Sequence, residues 1–233
     1  MKKIYLVLSS ILLISCSSDN EGTNTPVDLT GKLKSTVDSE GVSNFLYYTN
    51  GNLQRTNMPH AYYAFIYENN KIIRDSIIFY DKGVNGYTYS YTQNLITESV
   101  SIGDNNKIKK KFFYDSSERL IKEIGSRRQN DNTFLDVAKI EFFYEGDNVV
   151  QTKETSFETG QYFIVSYEYD DKKNPKYDIY PSAYRKIWLI PKNNIIKRTS
   201  DYYGEQIYQY EYNVLGYPIK SISNEEVITF QYY

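Results

Sequence analysis

One cysteine, Cys16, and one histidine, His60, are all that the 233 residues hold of the two side chains that build most metal and nucleophile sites. A lone cysteine excludes a disulfide within the chain, so stability has to come from packing. Serine–histidine catalysis and histidine-rich metal centres would both rest on His60. It lies in Met58-Pro59-His60-Ala61, which reads as a loop before a strand. Neither a Walker A loop nor G-x-G-x-x-G occurs, so no nucleotide or other cofactor is expected. The formal net charge is −2, and −4 once residues 1–15 with their two lysines are removed. That balance lacks the basic stripe a nucleic-acid partner needs. No apolar run is long enough to span a bilayer as a helix; the nearest, Ile4 to Ile14, is short and broken by Ser9 and Ser10.

What is present begins at the N-terminus. Met1-Lys2-Lys3 gives a positive cap, Ile4 to Ile14 an apolar stretch, and Leu13-Ile14-Ser15-Cys16 its end. The last four residues resemble the bacterial lipobox, in which the cysteine is acylated and exposed by cleavage. The resemblance implies a signal peptide over 1–15, lipidation at Cys16, and an outer-membrane location, facing either the surface or the periplasm. Two or three acyl chains, each methylene worth about 0.8 kcal/mol when buried, make a stable anchor. Residues 16–34 are poor in large apolar side chains and rich in Ser, Thr, Asn, Asp and Gly, which suits a flexible tether. Ser17-Ser18-Asp19-Asn20-Glu21 resembles the signal that sends lipoproteins of Bacteroidota to the cell surface, with Asn20 interrupting the acidic run.

From Phe45 onward the chain repeats itself. The clearest copies are FFYDSSERLIKEI (112–124), FFYEGDNVVQTKE (142–154) and YEYNVLGYPIKSI (210–222); weaker ones start at 45, 65, 89 and 167. FQYY at the C-terminus reads as a last strand without its partner. Each copy places an aromatic residue two before a tyrosine, then polar turn residues, then a hydrophobic restart. Period-two spacing followed by turn chemistry and a second apolar run describes an antiparallel hairpin. The fold expected for residues 35–233 is therefore one all-β domain, an antiparallel meander of degenerate hairpin repeats forming a large curved or rolled sheet.

Side chains two apart in a strand share a face, so Phe45 and Tyr47, Phe65 and Tyr67, Phe112 and Tyr114, and Tyr210 and Tyr212 should each point to one side. The residue between them is apolar in early copies (Leu46, Ile66, Phe113) and polar in late ones (Glu168, Glu211, Gln231). Either the central strands are covered on both faces or they offer an exposed aromatic surface; large exposed apolar patches are uncommon, so cover on both faces is the expectation. Asn174-Pro175, Pro181 and Pro191 interrupt any ladder, which marks 175–191 for an irregular or helical piece.

The hairpin pattern, with Tyr114-Asp115 then Arg119-Leu120, resembles the tyrosine-aspartate repeats of bacterial wall-associated and Rhs-type proteins. The order of YEYDDKKNP, Trp188, KNNIIKRT and YQYEYNVLGYPIKSI is similar to an uncharacterised family of Bacteroidota lipoproteins built from such repeats. Several copies lack the Asp after Tyr, and the turn glycine occurs only at Gly51 and Gly216. The resemblance implies a meander of hairpins in an exported protein and brings no catalytic residues.

Two function classes fit, the first being an exported, lipid-anchored binding or scaffolding protein of the cell envelope. The 26 tyrosines favour binding, because a phenol offers a flat apolar body with a polar tip at low entropic cost. Tyr62, Tyr63, Tyr87, Tyr202 and Tyr203, near predicted loops or strand ends, are the candidate contacts for an extracellular polysaccharide or a protein partner; Tyr89 and Tyr91 lie close by. The alternative is a glycan-processing hydrolase using paired carboxylates, for which Glu168 and Glu211 occupy equivalent repeat positions. Asp104-Asn105-Asn106, Glu145-Gly146-Asp147 and Asp170-Asp171 offer oxygen ligands without EF-hand spacing and are explained as turns, so no metal is expected.

Overall fold

The computed structural model describes residues 27–80, 82–103, 107–224 and 226–233. The expected signal peptide, Cys16 and Asp104-Asn105-Asn106 lie outside them. The strands are β1 (Leu33–Asp38), β2 (Gly41–Tyr47), β3 (Leu53–Asn57), β4 (Ala61–Glu68), β5 (Lys71–Phe79), β6 (Gly83–Thr92), β7 (Leu95–Ile102), β8 (Ile108–Tyr114) and β9 (Leu120–Arg128). They continue as β10 (Phe134–Glu145), β11 (Asn148–Ser156), β12 (Tyr162–Lys173), β13 (Asn193–Ser200), β14 (Gly204–Ile207), β15 (Gln209–Tyr212), β16 (Pro218–Ser223) and β17 (Glu226–Tyr232). Between β12 and β13 lie a 3-10 turn, Tyr177–Ile179, and one short helix, α1 (Ser182–Ile187), within the stretch the prolines mark.

The strands form the antiparallel meander that the repeats predict, and the meander closes. Strand β1 pairs with β2 on one side and with β17 on the other, both antiparallel. FQYY therefore has a partner, the N-terminal strand, and the eighth hairpin is assembled from the two chain ends. The β domain accordingly begins at Leu33, two residues inside the stretch read as tether, and Leu33 is fully buried. An all-antiparallel ring needs an even number of strands, yet seventeen segments are counted. The parity is restored at Tyr208: β14 pairs with β13, β15 pairs with β16, and the Tyr208 N–H between them donates to the Ile196 carbonyl at 2.8 Å. β14 and β15 are one strand handed from one neighbour to the other, and sixteen strands make the barrel.

Each repeat carries the same irregularity. Tyr47 faces Leu53, Tyr67 faces Ile72, Tyr91 faces Ile96, Tyr114 faces Leu120, Tyr144 faces Val149, Tyr169 faces Ile195, Tyr212 faces Pro218 and Tyr232 faces Leu33. One register step before each tyrosine the second strand holds an extra residue, a β-bulge, which bends the strand and disrupts the ladder locally. The carbonyl of each facing residue then receives a phenol from the next repeat along the sheet. Tyr47 donates to Leu33 O (2.8 Å), Tyr67 to Leu53 O (2.9 Å), Tyr91 to Ile72 O (2.8 Å) and Tyr114 to Ile96 O (2.6 Å). Tyr144 donates to Leu120 O (2.9 Å), Tyr169 to Val149 O (2.6 Å), Tyr210 to Ile195 O (3.1 Å) and Tyr232 to Pro218 O (2.6 Å). Eight carbonyls and eight phenols thus girdle one end of the barrel. Only the seventh copy departs: Tyr210 takes the place of Tyr212, whose hydroxyl goes to Asp170.

The alternation puts Phe45, Phe65, Tyr89, Phe112 and Phe142 on the inner face, buried with the girdle aliphatics. Each such side chain contributes about 1.5–3 kcal/mol by leaving water. The residue between aromatic and tyrosine, with its cross-strand partner, forms one level of the outer wall. The pairs are Leu46/Arg55, Ile66/Arg74, Ser90/Glu98, Phe113/Lys122, Phe143/Gln151, Glu168/Lys197, Glu211/Lys220 and Gln231/Ser35. The expectation that the central strands are covered on both faces is corrected here. A closed sheet buries only its inner face, and Ile66 and Phe143 stand 49% and 46% exposed on the outer one. Charged neighbours break up that apolar surface, as where the Lys122 ammonium lies 4.3 Å from the Phe113 ring centre.

Loss of a girdle phenol strands a carbonyl. Tyr114→Phe is expected to cost about 1–3 kcal/mol in urea unfolding, whereas Tyr202→Phe, at an exposed turn, should stay within about 0.5 kcal/mol.

Candidate functional site

A sixteen-strand barrel is too wide for its wall side chains to fill. The segment between β12 and β13 occupies the space. Proline supplies no ladder N–H, so at Pro175 the chain leaves the sheet. Asn174 N–H bonds to Lys192 O at 2.9 Å and closes a neck, from which the segment turns inward. Ile179, Ala183, Tyr184 and Ile187 join the buried core from this plug. Tyr180 and Tyr184 meet Phe65 edge-on at 5.6 and 5.8 Å, and Trp188 packs edge-on against Tyr87 at 5.8 Å.

The plug is fastened by a buried carboxyl group. Asp75, fully buried on β5, accepts the hydroxyls of Tyr63 (3.1 Å), Tyr89 (2.5 Å) and Tyr184 (2.7 Å) on Oδ2, and the Tyr87 N–H (2.9 Å) on Oδ1. All four neighbours donate, which suits an acceptor-only carboxylate, and the donors stand in for the missing cation. Trp188 Nε1 extends the network to Tyr89 Oη at 3.2 Å. Burial first, and then the adjacent Asp75 charge, push the Tyr89 and Tyr63 phenols far above the ordinary range. Tyr184 moves the same way, chiefly through burial. Gly86 makes the close approach possible: a Cβ there would lie 2.2 Å from Asp75 O.

Beside the plug the lumen keeps a cavity of about 710 Å3. Phe45, Tyr63, Tyr184, Trp188, Tyr208, Tyr210 and Phe230 give it aromatic walls, and Thr36, Ser43, Thr56, Asn194, Gln206 and Ser221 put hydroxyls and amides between the rings. Asp38 and Glu226 sit at the end away from the girdle, and Lys176 is on the plug. A smaller cavity of about 310 Å3 lies where the plug meets the turns of the fourth and fifth hairpins. There Arg185 stacks 3.8 Å from the Tyr177 ring centre and Lys186 reaches Glu118 at 3.4 Å.

The sequence candidates divide three ways. Tyr63 and Tyr87 are on the inner face, the first in the Asp75 cage and the second against Trp188. Tyr62 is on the outer wall near Arg55 and Tyr80. Tyr202 and Tyr203 form an edge-to-face pair at the β13–β14 turn, 75% and 68% exposed. Tyr89 is in the cage and Tyr91 in the girdle. Glu168 and Glu211 face outward, paired with Lys197 (3.6 Å) and Lys220 (3.0 Å), and do not converge on a cleft. His60 is exposed at a bend before β4. Asp147 pairs with Lys192, and Asp170 accepts the Asn194 N–H and the Tyr212 hydroxyl. Among the described residues no group of three or more His, Cys, Asp or Glu converges as metal ligands would. Sequence reasoning missed Asp75 and the cavity walls, since residues from β1, β3, β13, β15 and β17 meet only when the sheet closes.

No protein-family model and no curated protein matches the sequence. Solved structures do. A porin-like protein from Bacteroides uniformis ATCC 8492 superposes with a TM-score of 0.55 at 13% identity, over 89% of this chain and 99% of that one. A porin-like protein from Bacteroides vulgatus ATCC 8482 gives 0.56 at 11% identity, over 87% and 99%. At such identities the likeness is one of fold: this chain has the barrel of those proteins.

Tyr184→Phe removes one donor from a buried carboxylate and is expected to cost about 1.5–3 kcal/mol in denaturant unfolding. The same variant should leave Trp188, the chain's single tryptophan, more open to acrylamide quenching.

Proposed function

We propose that this chain is a cell-envelope binding protein, a barrel standing in water on a lipid tether, which takes a small glycan into its lumen. The outer wall carries the first half of this reading. Half of the sixteen side chains at the level next to the girdle are charged. Ion pairs continue along the wall, as at Lys139–Glu141 (3.0 Å) and Lys197–Glu205 (2.8 Å). A membrane-spanning barrel needs an apolar band about 25 Å tall, and a lysine or arginine at its midplane costs about 2–4 kcal/mol. Strands of five to seven residues, β3, β16 and β2 among them, also fall short of the roughly 9–11 that a bilayer requires. Resemblance in fold to porin-like proteins therefore does not make this chain a pore. Acylation at Cys16 would hold it at the outer membrane, with the described chain entering the barrel at the girdle end.

The observation that carries the binding role is the cavity. Its volume lies within the roughly 300–1,000 Å3 of small-molecule sites, and rings interleaved with hydroxyl and amide groups suit a sugar, which has apolar faces and a polar rim. Stacking needs no nucleophile, in keeping with outward-facing Glu168 and Glu211. Tyr202 and Tyr203, on the end of the barrel away from the girdle, stand where an entering chain would first touch.

Trp188 gives the test. Titrating purified residues 27–233 with a panel of disaccharides should shift or quench its emission saturably for at least one sugar, and Tyr208→Ala, which removes a wall ring and leaves the girdle bonds in place, should weaken that sugar's binding without unfolding the barrel. A panel that leaves the emission unchanged, or release of monosaccharide by the same preparation, would contradict the proposal. The anchor has its own test. Cys16→Ala should move the full-length protein out of the membrane fraction, and unchanged partitioning would contradict it.

A further inference from the structure

The cations of the plug and its neck are engaged, with one exception. Lys32 donates to Gly51 O at 2.9 Å, Arg185 to Tyr177 O at 2.8 Å, Lys186 to Glu118 and Lys192 to Asp147 at 3.0 Å. Lys173 lies over the Tyr217 ring, 5.2 Å from its centre. Lys176 lines the 710 Å3 cavity, and among the described residues its ammonium has no hydrogen-bond acceptor, ion-pair partner or aromatic face. Its backbone is fixed: Pro175 is buried beside it, and its N–H bonds to Asn174 Oδ1 at 2.9 Å. The Lys176 side chain is exposed to water. The surrounding protein nevertheless desolvates the ammonium enough to lower its pKa. An ammonium on the cavity wall with no acceptor of its own is open to an anionic group that enters the cavity.

The other charges on the cavity fix where such a counter-charge can go. Asp38 ends β1 and Glu226 begins β17, so both acids lie at the mouth away from the girdle, whereas Lys176 is on the plug. Asp38 is occupied by the N–H groups of Glu40 (2.9 Å) and Gly41 (3.1 Å). A ligand with negative charge along its whole length would be repelled at the mouth. One with a single anionic group at its leading end would meet Lys176 and leave its neutral part among the aromatic walls.

We propose that the lumen selects an acidic saccharide, a short glycan with one terminal carboxylate, and that Lys176 is the residue that recognises the acid. This rests on the lumen being the binding site. The carboxylate accepts from the ammonium, while Trp188, Tyr208 and Tyr210 supply rings for the sugar body and Asn194 and Gln206 reach its hydroxyls. A charge-assisted bond of this kind is worth about tenfold or more in affinity.

The test uses a panel of disaccharides in matched pairs, each as a uronic acid and as its neutral form with a hydroxymethyl group in place of the carboxylate, titrated against Trp188 emission. The expected result is that the tightest binder is an acid, preferred over its neutral twin by about tenfold or more. Lys176→Met should abolish that preference by bringing the acid down to the affinity of its neutral twin, and Lys176→Arg should keep it. Equal or tighter binding of the neutral twins, with no effect of Lys176→Met, would overturn the assignment of Lys176 and leave lumenal glycan binding standing. Binding of neither form would overturn both.

Discussion

Everything in this molecule hangs on a hydrogen bond from a phenol to a backbone carbonyl, made eight times around one end of the barrel. Curling a sheet into a ring needs bulges, because an added residue bends and twists a strand where a flat pleat would not close. A bulge, however, disturbs the ladder and endangers a buried carbonyl, which costs about 1–3 kcal/mol if it stays unpaired. The repeat answers with a tyrosine on the neighbouring hairpin, long enough to reach across and apolar enough to pack on the way. The bonds run across the seam as well: Tyr47 on β2 reaches Leu33 on β1, and Leu33 in turn faces Tyr232 on β17. The chain ends are thereby held by the same device as every internal hairpin.

The interior follows from that closure. Sixteen strands enclose more room than their own side chains occupy, so one hairpin turn is expanded into a plug. The plug enters at the sixth hairpin, and there the girdle pattern shifts: Tyr212 turns to Asp170, which also binds Asn194 at the base of the plug, and Tyr210 covers the Ile195 carbonyl instead. Inside, Asp75 gathers hydroxyls from β4, β6 and the plug at one point, joining wall to filling. What the plug leaves empty is the cavity, and its one unpaired cation, among the described residues, gives that cavity a polarity.

Much of this is legible in the sequence. The aromatic-x-Tyr-turn-aliphatic string states the strand, the inner face, the turn and the residue opposite the tyrosine, and the prolines at 175, 181 and 191 mark the plug. Closure was not legible, because LKS at residues 33–35 has no aromatic-x-Tyr string to show that it completes FQYY. Nor was the environment of the in-between residue. Phe113 and Phe143 look like positions that want cover, yet their cross-strand and diagonal neighbours include lysines, and a barrel wall of that composition tolerates water. Asp75 reads in sequence as one acid in IIRDSII, and only the ring brings three hydroxyls to it. Nearness to turns, the property the candidate tyrosines share, does not separate inner from outer face: Tyr62 and Tyr63 both have it and point in opposite directions.

Spectrophotometric titration of tyrosine ionisation, followed together with the β-sheet circular dichroism signal, tests the girdle most directly. Burial raises the girdle phenols above the ordinary value near 10: Tyr91, Tyr144 and Tyr210 to about 12, and the others further. A group whose folded pKa is raised gives its full stabilisation below the unfolded pKa, so stability should be level up to about pH 9. Above pH 10 the unfolded chain ionises first, and stability should fall as pH rises toward 12 and beyond. The girdle should ionise in one cooperative step that coincides with loss of the sheet signal. Ionisation of all tyrosines together near pH 10 in a barrel that stays folded would contradict it.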